Sequence, residues 1–505
     1  MKGTKYFFEL FIFIACAFVS HTNAQQLYHE QYRPQIHFAQ KEKWMNDPNG
    51  MVYYKGVYHL FYQYYPDSTV WGPNHWGHAT SKDLVHWHHE PVALHPDSLG
   101  LIASGSAVVD QNNTSGFGKN GKTPLVAIYA YINQPLERQN KLAQYQAIAY
   151  SLDDGYTWTK YEHNPVVQNP GVKDFRDPKV MWYEPQKKWI MTVAAKDRVM
   201  FYSAPDLKNW KKESDFGSDI GAHGGVWECP DLFPLSDNGK RVWVLVVNVN
   251  PGGPNKGSAT QYFLGDFDGN KFTPSDTTTK WLDYGPDEYA GVTWSNTGDR
   301  KIFLGWMSNW LYANVVPTQR WRGAMTIPRG LKLKHVGNTM LVASEPVKEL
   351  HTIETKPIIV KNLRIAENFD LSQKTGKITI PCRSNINIDT LENFSVTLSN
   401  DMNEQVVIGY DKESNLYYID RTKSGKVDFH KDFAARHTAP RFVNAPQTNL
   451  SLIIDVSSVE LFADDGLTVM TETFFPNKPY NHINIQANGV HIKRAEYAKM
   501  KSIWE

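Results

Sequence analysis

Three short segments in the first half of the chain each set one carboxylate close to a proline: Trp44-Met45-Asn46-Asp47-Pro48-Asn49-Gly50, Phe175-Arg176-Asp177-Pro178 and Trp227-Glu228-Cys229-Pro230. Proline fixes its own φ and pushes the residue before it toward extended backbone. Asp47 and Asp177 directly precede a proline, and Glu228 stands one place further back. An acid on such a stiff strand end or turn points one way, as a catalytic pair requires. One such segment alone reads equally well as a surface turn with a solvated acid. Three of them, among Trp and Gly, do not.

Two carboxyls that face one bond are the apparatus of glycoside hydrolysis: one protonates the leaving oxygen, the other faces the carbon under attack. The acid needs a raised pKa to keep its proton near neutrality. Trp227 and Cys229 flank Glu228, and such an apolar surround would hold its proton, so Glu228 is read as the acid/base. Asp47 stands between Asn46 and Pro48 with Asn49-Gly50 following, where amide and backbone donors favour the charged form. Asp47 is therefore read as the nucleophile. Asp177, next to Arg176, is read as a clamp on sugar hydroxyls.

These groups need elements to bring them together. The chain has 505 residues, more than one typical core uses, and its formal charge of +1 gives no basic field for nucleic acid. The 16 Trp and 26 Tyr suit both a large β core and the apolar faces of sugar rings. An acidic turn recurs: Ser81-Lys82-Asp83-Leu84 before Trp87, Ser151-Leu152-Asp153-Asp154 before Trp158, Ser203-Ala204-Pro205-Asp206 before Trp210, and a degenerate copy, Asp266-Phe267-Asp268-Gly269. The copies lie about 50 to 70 residues apart, each between strand-like runs, which points to a β-propeller of five blades. Hairpins such as Val52-Tyr53-Tyr54 with Tyr58 to Tyr62 across Lys55-Gly56 fit this, and no long helical period is present. After the repeat ends, short alternating strands (Lys377–Ile380, Ser395–Leu398, Val459–Phe462, Thr468–Thr471) with the turn Asp464-Asp465-Gly466 read as a β-sandwich with a structural role. The expected fold is all-β: propeller over residues 25–343, linker over 344–354, sandwich over 355–505. Blades deliver their inner strands to one funnel, where Asp47, Asp177 and Glu228 can converge.

The N-terminus reads as a secretory signal over residues 1–24: Lys2 and Lys5, the apolar run Leu10–Val19, and Thr22-Asn23-Ala24 before cleavage. The run is too short to anchor in a bilayer, so secretion, to the periplasm, cell surface or medium, is expected. A lipid anchor through Cys16 is the alternative, disfavoured because the apolar run continues past it. Cys229 and Cys382 are not expected to pair, and no Cys/His cluster has zinc-ligand spacing. His86, His88 and His89 around Trp87 read as a solvated strand end.

At its acid segments the chain resembles glycoside hydrolase family 32, the β-fructofuranosidases. Trp44 to Gly50 matches the family's nucleophile motif, Arg176-Asp177-Pro178 its transition-state motif and Glu228-Cys229-Pro230 its acid/base motif. Phe61-Tyr62-Gln63-Tyr64, Trp76-Gly77-His78-Ala79, Ser104-Gly105-Ser106, Gly305 to Trp310 and Pro317 to Arg322 agree as well. The resemblance implies a five-bladed propeller, a sandwich, retention of configuration and no metal or cofactor. It also implies a terminal-fructose site lined by Asn46, Gln63, Trp71, Ser104, Arg176 and Trp310.

One departure stands out. The family has an aromatic before Ser-Gly-Ser, and this chain has Ala103. A missing ring would widen the pocket wall, so attack within fructan chains, levan or inulin, is expected. The alternatives are release of fructose from chain ends or sucrose, and fructosyl transfer by the same acids.

Overall fold

The computed structural model describes residues 27–504; the leader read over 1–24, with Cys16, lies outside them. The first part is built from five antiparallel sheets. They start with the strands Lys43–Tyr54, Leu101–Val109, Phe175–Tyr183, Val226–Asp237 and Tyr289–Thr293. Each starting strand packs against the next, and Tyr289–Thr293 touches both Val226–Asp237 and Lys43–Tyr54, closing a ring. That closure makes the fold a β-propeller, with its starting strands around the centre. The short strand Trp321–Arg322 seals the first sheet by pairing in parallel with Lys43 and Trp44.

The recurring acidic turns fall at one place: the connection from the third to the outermost strand in the first four sheets. In each, an aspartate side chain accepts backbone N–H groups ahead of it, as Asp83 does from Val85 and His86, and Asp206 from Lys208 and Asn209. Leu84, Asp154 and Leu207, at the same turn position, share a left-handed backbone with φ of 65°, 64° and 64°. The fifth sheet makes this connection with a bare Gly337 hairpin, so the sequence repeat is invisible there.

The five inner strands share another feature. Each breaks its ladder register near its start: between Met45 and Pro48 (and again between Asn49 and Val52), Ile102 and Gly105, opposite Thr192 and Ala194 (beside Asp177), between Glu228 and Asp231, and between Tyr289 and Val292. A bulge re-aims the side chains beside it. Asp177 and Cys229 have φ of 61° and 43°, a region that costs a non-glycine residue energy and tends to occur at functional sites.

The second part is a β-sandwich of two six-stranded sheets. Its core contains Ile386, Val396, Ile408, Ile419, Leu452 and Leu461. The hairpin read around Asp464-Asp465-Gly466 is present, joining Ser458–Ala463 to Thr468–Thr473. Lys377–Ile380 is not a strand: it precedes Pro381, only Ile378 and Pro381 of the stretch are buried, and the Ile378 N–H bonds to Asn481 rather than to a ladder. Ser344–Pro346 completes the last propeller strand, and Lys348–Ile353 is a short 3-10 helix with Leu350 and Ile353 buried. His89 is not solvated; its ring packs against Phe38 and Trp504. Both Cys229 and Cys382 are free and buried.

Buried ion pairs join the two parts. Arg329, fully enclosed, donates to Asp283 at 2.8 Å and to Glu460 at 2.5 Å. His37 lies between Asp455 and Glu460, at 2.8 and 2.9 Å. Burial opposes its charge, but the two carboxylates outweigh it and raise His37 to about 9. Arg421 reaches Asp287 at 2.5 Å and Glu472 at 3.1 Å.

Candidate active site

All nine residues read from the sequence as catalytic or sugar-binding line one cavity of about 260 Å³: Asn46, Asp47, Gln63, Trp71, Ser104, Arg176, Asp177, Glu228 and Trp310. The inner strands supply Asn46, Asp47, Ser104, Arg176, Asp177 and Glu228, the neighbouring strand Val57–Tyr65 supplies Gln63, and loops supply Trp71 and Trp310. The bulges turn Asp47, Ser104 and Asp177 into a common space.

Asp47 is held by a relay that begins in the core. The indole of Trp44, fully buried, donates to Asn46 Oδ1 at 2.6 Å. That fixes the Asn46 amide so that its Nδ2 donates to Asp47 Oδ1 at 2.8 Å. Ser104 Oγ donates to Asp47 Oδ2 at 2.7 Å, and the Gln63 amide meets Ser104 Oγ at 3.0 Å. Gly50 completes the turn with φ of 57°; a Cβ there would strike Phe61 and Trp76 at 2.7 Å. Burial, reinforced by the nearby Glu228, pushes the Asp47 carboxyl above its ordinary range despite Asn46 and Ser104. The donors read from sequence are present, and burial outweighs them.

Glu228 differs from its reading. Side chains alternate along a strand. Trp227 turns away into the core beside Phe216 and Phe263 and donates to the Ala222 carbonyl, so the expected apolar flank is not what surrounds the carboxyl. The Glu228 carboxyl instead meets two donors. Arg176 reaches Oε1 with Nε at 3.1 Å and NH2 at 2.7 Å, and the Tyr289 hydroxyl donates to Oε2. Arg176 is itself fixed by Asp174 at 2.9 Å and Gln144 at 3.2 Å.

Asp177 lies deepest. Its Oδ2 accepts the Cys229 backbone N–H at 3.1 Å and stands 3.9 Å from Arg176 Nε, whose closer partner is Glu228. Burial raises Asp177 to about 7, with Glu228 and Asp47 adding to it against the pull of Arg176. The Cys229 thiol approaches Asp47 Oδ2 at 3.7 Å. Three acids and one guanidinium thus share a confined space. Among the described residues no group of three or more His, Cys, Asp and Glu is placed to hold a metal.

Sequence reading missed Tyr289. It belongs to the fifth inner strand, where the repeat is invisible, yet Asp287-Glu288-Tyr289 is a concentrated polar run at that strand's start. Glu137, Gln144 and Asn250 also line the cavity and have no motif around them, and Asp174, which lines it too, stands directly before the Phe175–Pro178 segment.

Residues 37–345 match the model of the glycosyl hydrolases family 32 N-terminal domain, and residues 348–503 that of the family 32 C-terminal domain. The chain belongs to glycoside hydrolase family 32, the β-fructofuranosidase family, and is a glycoside hydrolase. It is similar to the levanase of Bacillus subtilis, with 46% identity over 98% of this chain and 74% of that protein. It is also similar to the extracellular exo-inulinase of Aspergillus awamori, with 39% identity over 94% of this chain and 96% of that protein. The crystal structure of the Aspergillus awamori exo-inulinase superposes with a TM-score of 0.87, at 38% identity over 94% of this chain and 100% of that one. That likeness accords with the propeller followed by a sandwich.

Proposed function

We propose that this protein is a secreted, retaining fructan hydrolase that removes the terminal fructose unit from levan or inulin. The single observation behind the reading is the convergence of all nine motif residues on one small cavity, with Asp47 and Glu228 both facing it. Asp47 attacks the anomeric carbon while Glu228 gives its proton to the leaving oxygen. A fructosyl ester on Asp47 results, and the leaving sugar departs as an alcohol. Glu228, now a carboxylate, takes a proton from water, which cleaves the ester and regenerates both acids with net retention. Asp177, Asn46, Gln63, Trp71, Ser104, Arg176 and Trp310 hold the fructose ring.

Two features favour terminal attack over attack within chains. The cavity, at about 260 Å³, is below the usual range for sites of drug-sized ligands. Ala103 packs with Leu101 and Ile132, and Glu137, from a short helix, Gln134–Arg138, lines the same cavity. Ala103 remains the one observation in favour of internal attack. Following early products on levan, inulin and sucrose separates the readings: free fructose alone supports terminal attack, and mixed oligosaccharides overturn it. Longer products formed from sucrose would favour transfer.

The same proposal reads each of the five sheets as one blade, extends the propeller expected over 25–343 to Pro346, where its last strand ends, and takes the rest of 344–354 as linker and 355–505 as sandwich, with 1–24 as leader. The relatives named extracellular exo-inulinase support secretion.

A further inference from the structure

The outer face of one sandwich sheet carries a hollow of about 750 Å³ away from the catalytic cavity, lined by residues that include Ser395, Asp411, Tyr418, Arg436 and Gln486. Its shape follows from one row across the sheet. Gln486 pairs with Ser395, Ser395 with Gly409, Gly409 with Tyr418 and Tyr418 with Thr438, and alternation turns this row outward while Phe394, Ile408, Tyr417 and Ile485 face the core. Gly409 leaves the floor bare. A Cβ there would lie 2.5 Å from Tyr418 Cζ and Oη, so only glycine lets the tyrosine ring lie flat across the sheet. The Arg436 guanidinium stacks 3.6 Å over that ring. Among the described residues Arg436 makes no ion pair and no hydrogen bond, and the Gln486 amide has no partner. The stacking thus immobilises a guanidinium whose donors are all unused.

A solvated sheet face is the plainer account, but it does not require a glycine beneath a flattened ring or a pinned, unpaired arginine. The hollow mixes donors, Arg436 and Gln486, with acceptors, Asp411 and Ser395. Hydroxyl groups both donate and accept, so they fit this mixture, whereas an anion would be repelled by Asp411 and the neighbouring Glu367. We propose that this hollow is a second carbohydrate-binding site that holds a stretch of neutral polyhydroxylated chain and keeps polymer near the enzyme. It rests on the proposed function only for the choice of polymer.

The test is electrophoresis through native gels containing levan or inulin, with Asp47→Asn as the background so that the polymer stays intact. Adding Tyr418→Ala and Arg436→Ala should weaken retardation by about threefold or more. Gln486→Ala, on an exposed side chain that cannot unfold the sheet, should weaken it in the same direction. In the active enzyme the same changes should lower kcat/KM on long polymer while leaving sucrose turnover unchanged. Unchanged retardation in both variants overturns the site, as does an equal loss on sucrose and polymer. If the wild-type enzyme is retarded by the polymers but cleaves neither, the proposed function fails and this site stands.

Discussion

The catalytic cavity and the seam between propeller and sandwich are made from the same components, buried acids and arginines, yet behave in opposite ways. At the seam Glu460 lies between two cationic partners, Arg329 and His37. Burial pushes Glu460 up, but Arg329 and His37 outweigh it and leave its pKa below the ordinary value. In the cavity, Asp47, Asp177 and Glu228 crowd around Arg176 alone, and the same kind of burial leaves Asp177 near 7 and Asp47 raised. At Glu460 compensated charge makes a joint; in the cavity under-compensated charge leaves Asp177 and Asp47 raised. A buried pair need not stabilise relative to an apolar one, but removing one partner is costly.

That contrast can be broken at either end. Asp47→Asn should reduce turnover by about four orders of magnitude while leaving the melting temperature no lower than wild type, since an under-compensated buried acid is lost. Near-normal turnover, or a large drop in melting temperature, would contradict the assignment. Glu228→Gln should slow natural substrates by about 10²- to 10⁴-fold and spare fructosides whose leaving group needs no proton. An equal loss on both substrate types would count against Glu228 as the acid. Arg329→Met should do the reverse of Asp47→Asn: it leaves Asp283 without its cation and Glu460 with His37 alone, and should cost about 3–5 kcal/mol of stability, with kcat per folded molecule nearly unchanged; denaturant melts and active-site titration check both. The smallest effect concerns His37. Its folded value of about 9 exceeds its unfolded value of 6.5, so its stabilisation is complete below the latter and is lost as pH rises through the former. The stability gap between wild type and His37→Gln should therefore narrow from neutral pH to about pH 9; a constant gap across denaturation curves would show that His37 is not charged in the native state.

What could be read from the sequence was local. The Asp-Pro and Cys-Pro segments and the acidic turns state their conformation in adjacent residues, so the acids and four of the sheets could be read directly. Tyr289 could not, because the fifth sheet turns on Gly337 without an aspartate and so breaks the repeat. The flank of Glu228 was misread because neighbours in sequence are opposed across a strand, so Trp227 faces a different core. The seam was invisible for a related reason: His37 and Asp455 are separated by almost the whole chain, and no spacing rule links them.

That separation also sets an order of events during synthesis. The segment just ahead of the nucleophile strand is tied down by Asp455 and Glu460 through His37 and the Gln35 backbone, and the strand itself is sealed by Trp321–Arg322. A ribosome makes Asp47 early and its restraints late. The first sheet waits, unsealed, until the propeller is nearly complete, and its leading edge waits until most of the sandwich exists. A chain cut short before residue 455 keeps every catalytic residue but lacks the clasp at its own beginning.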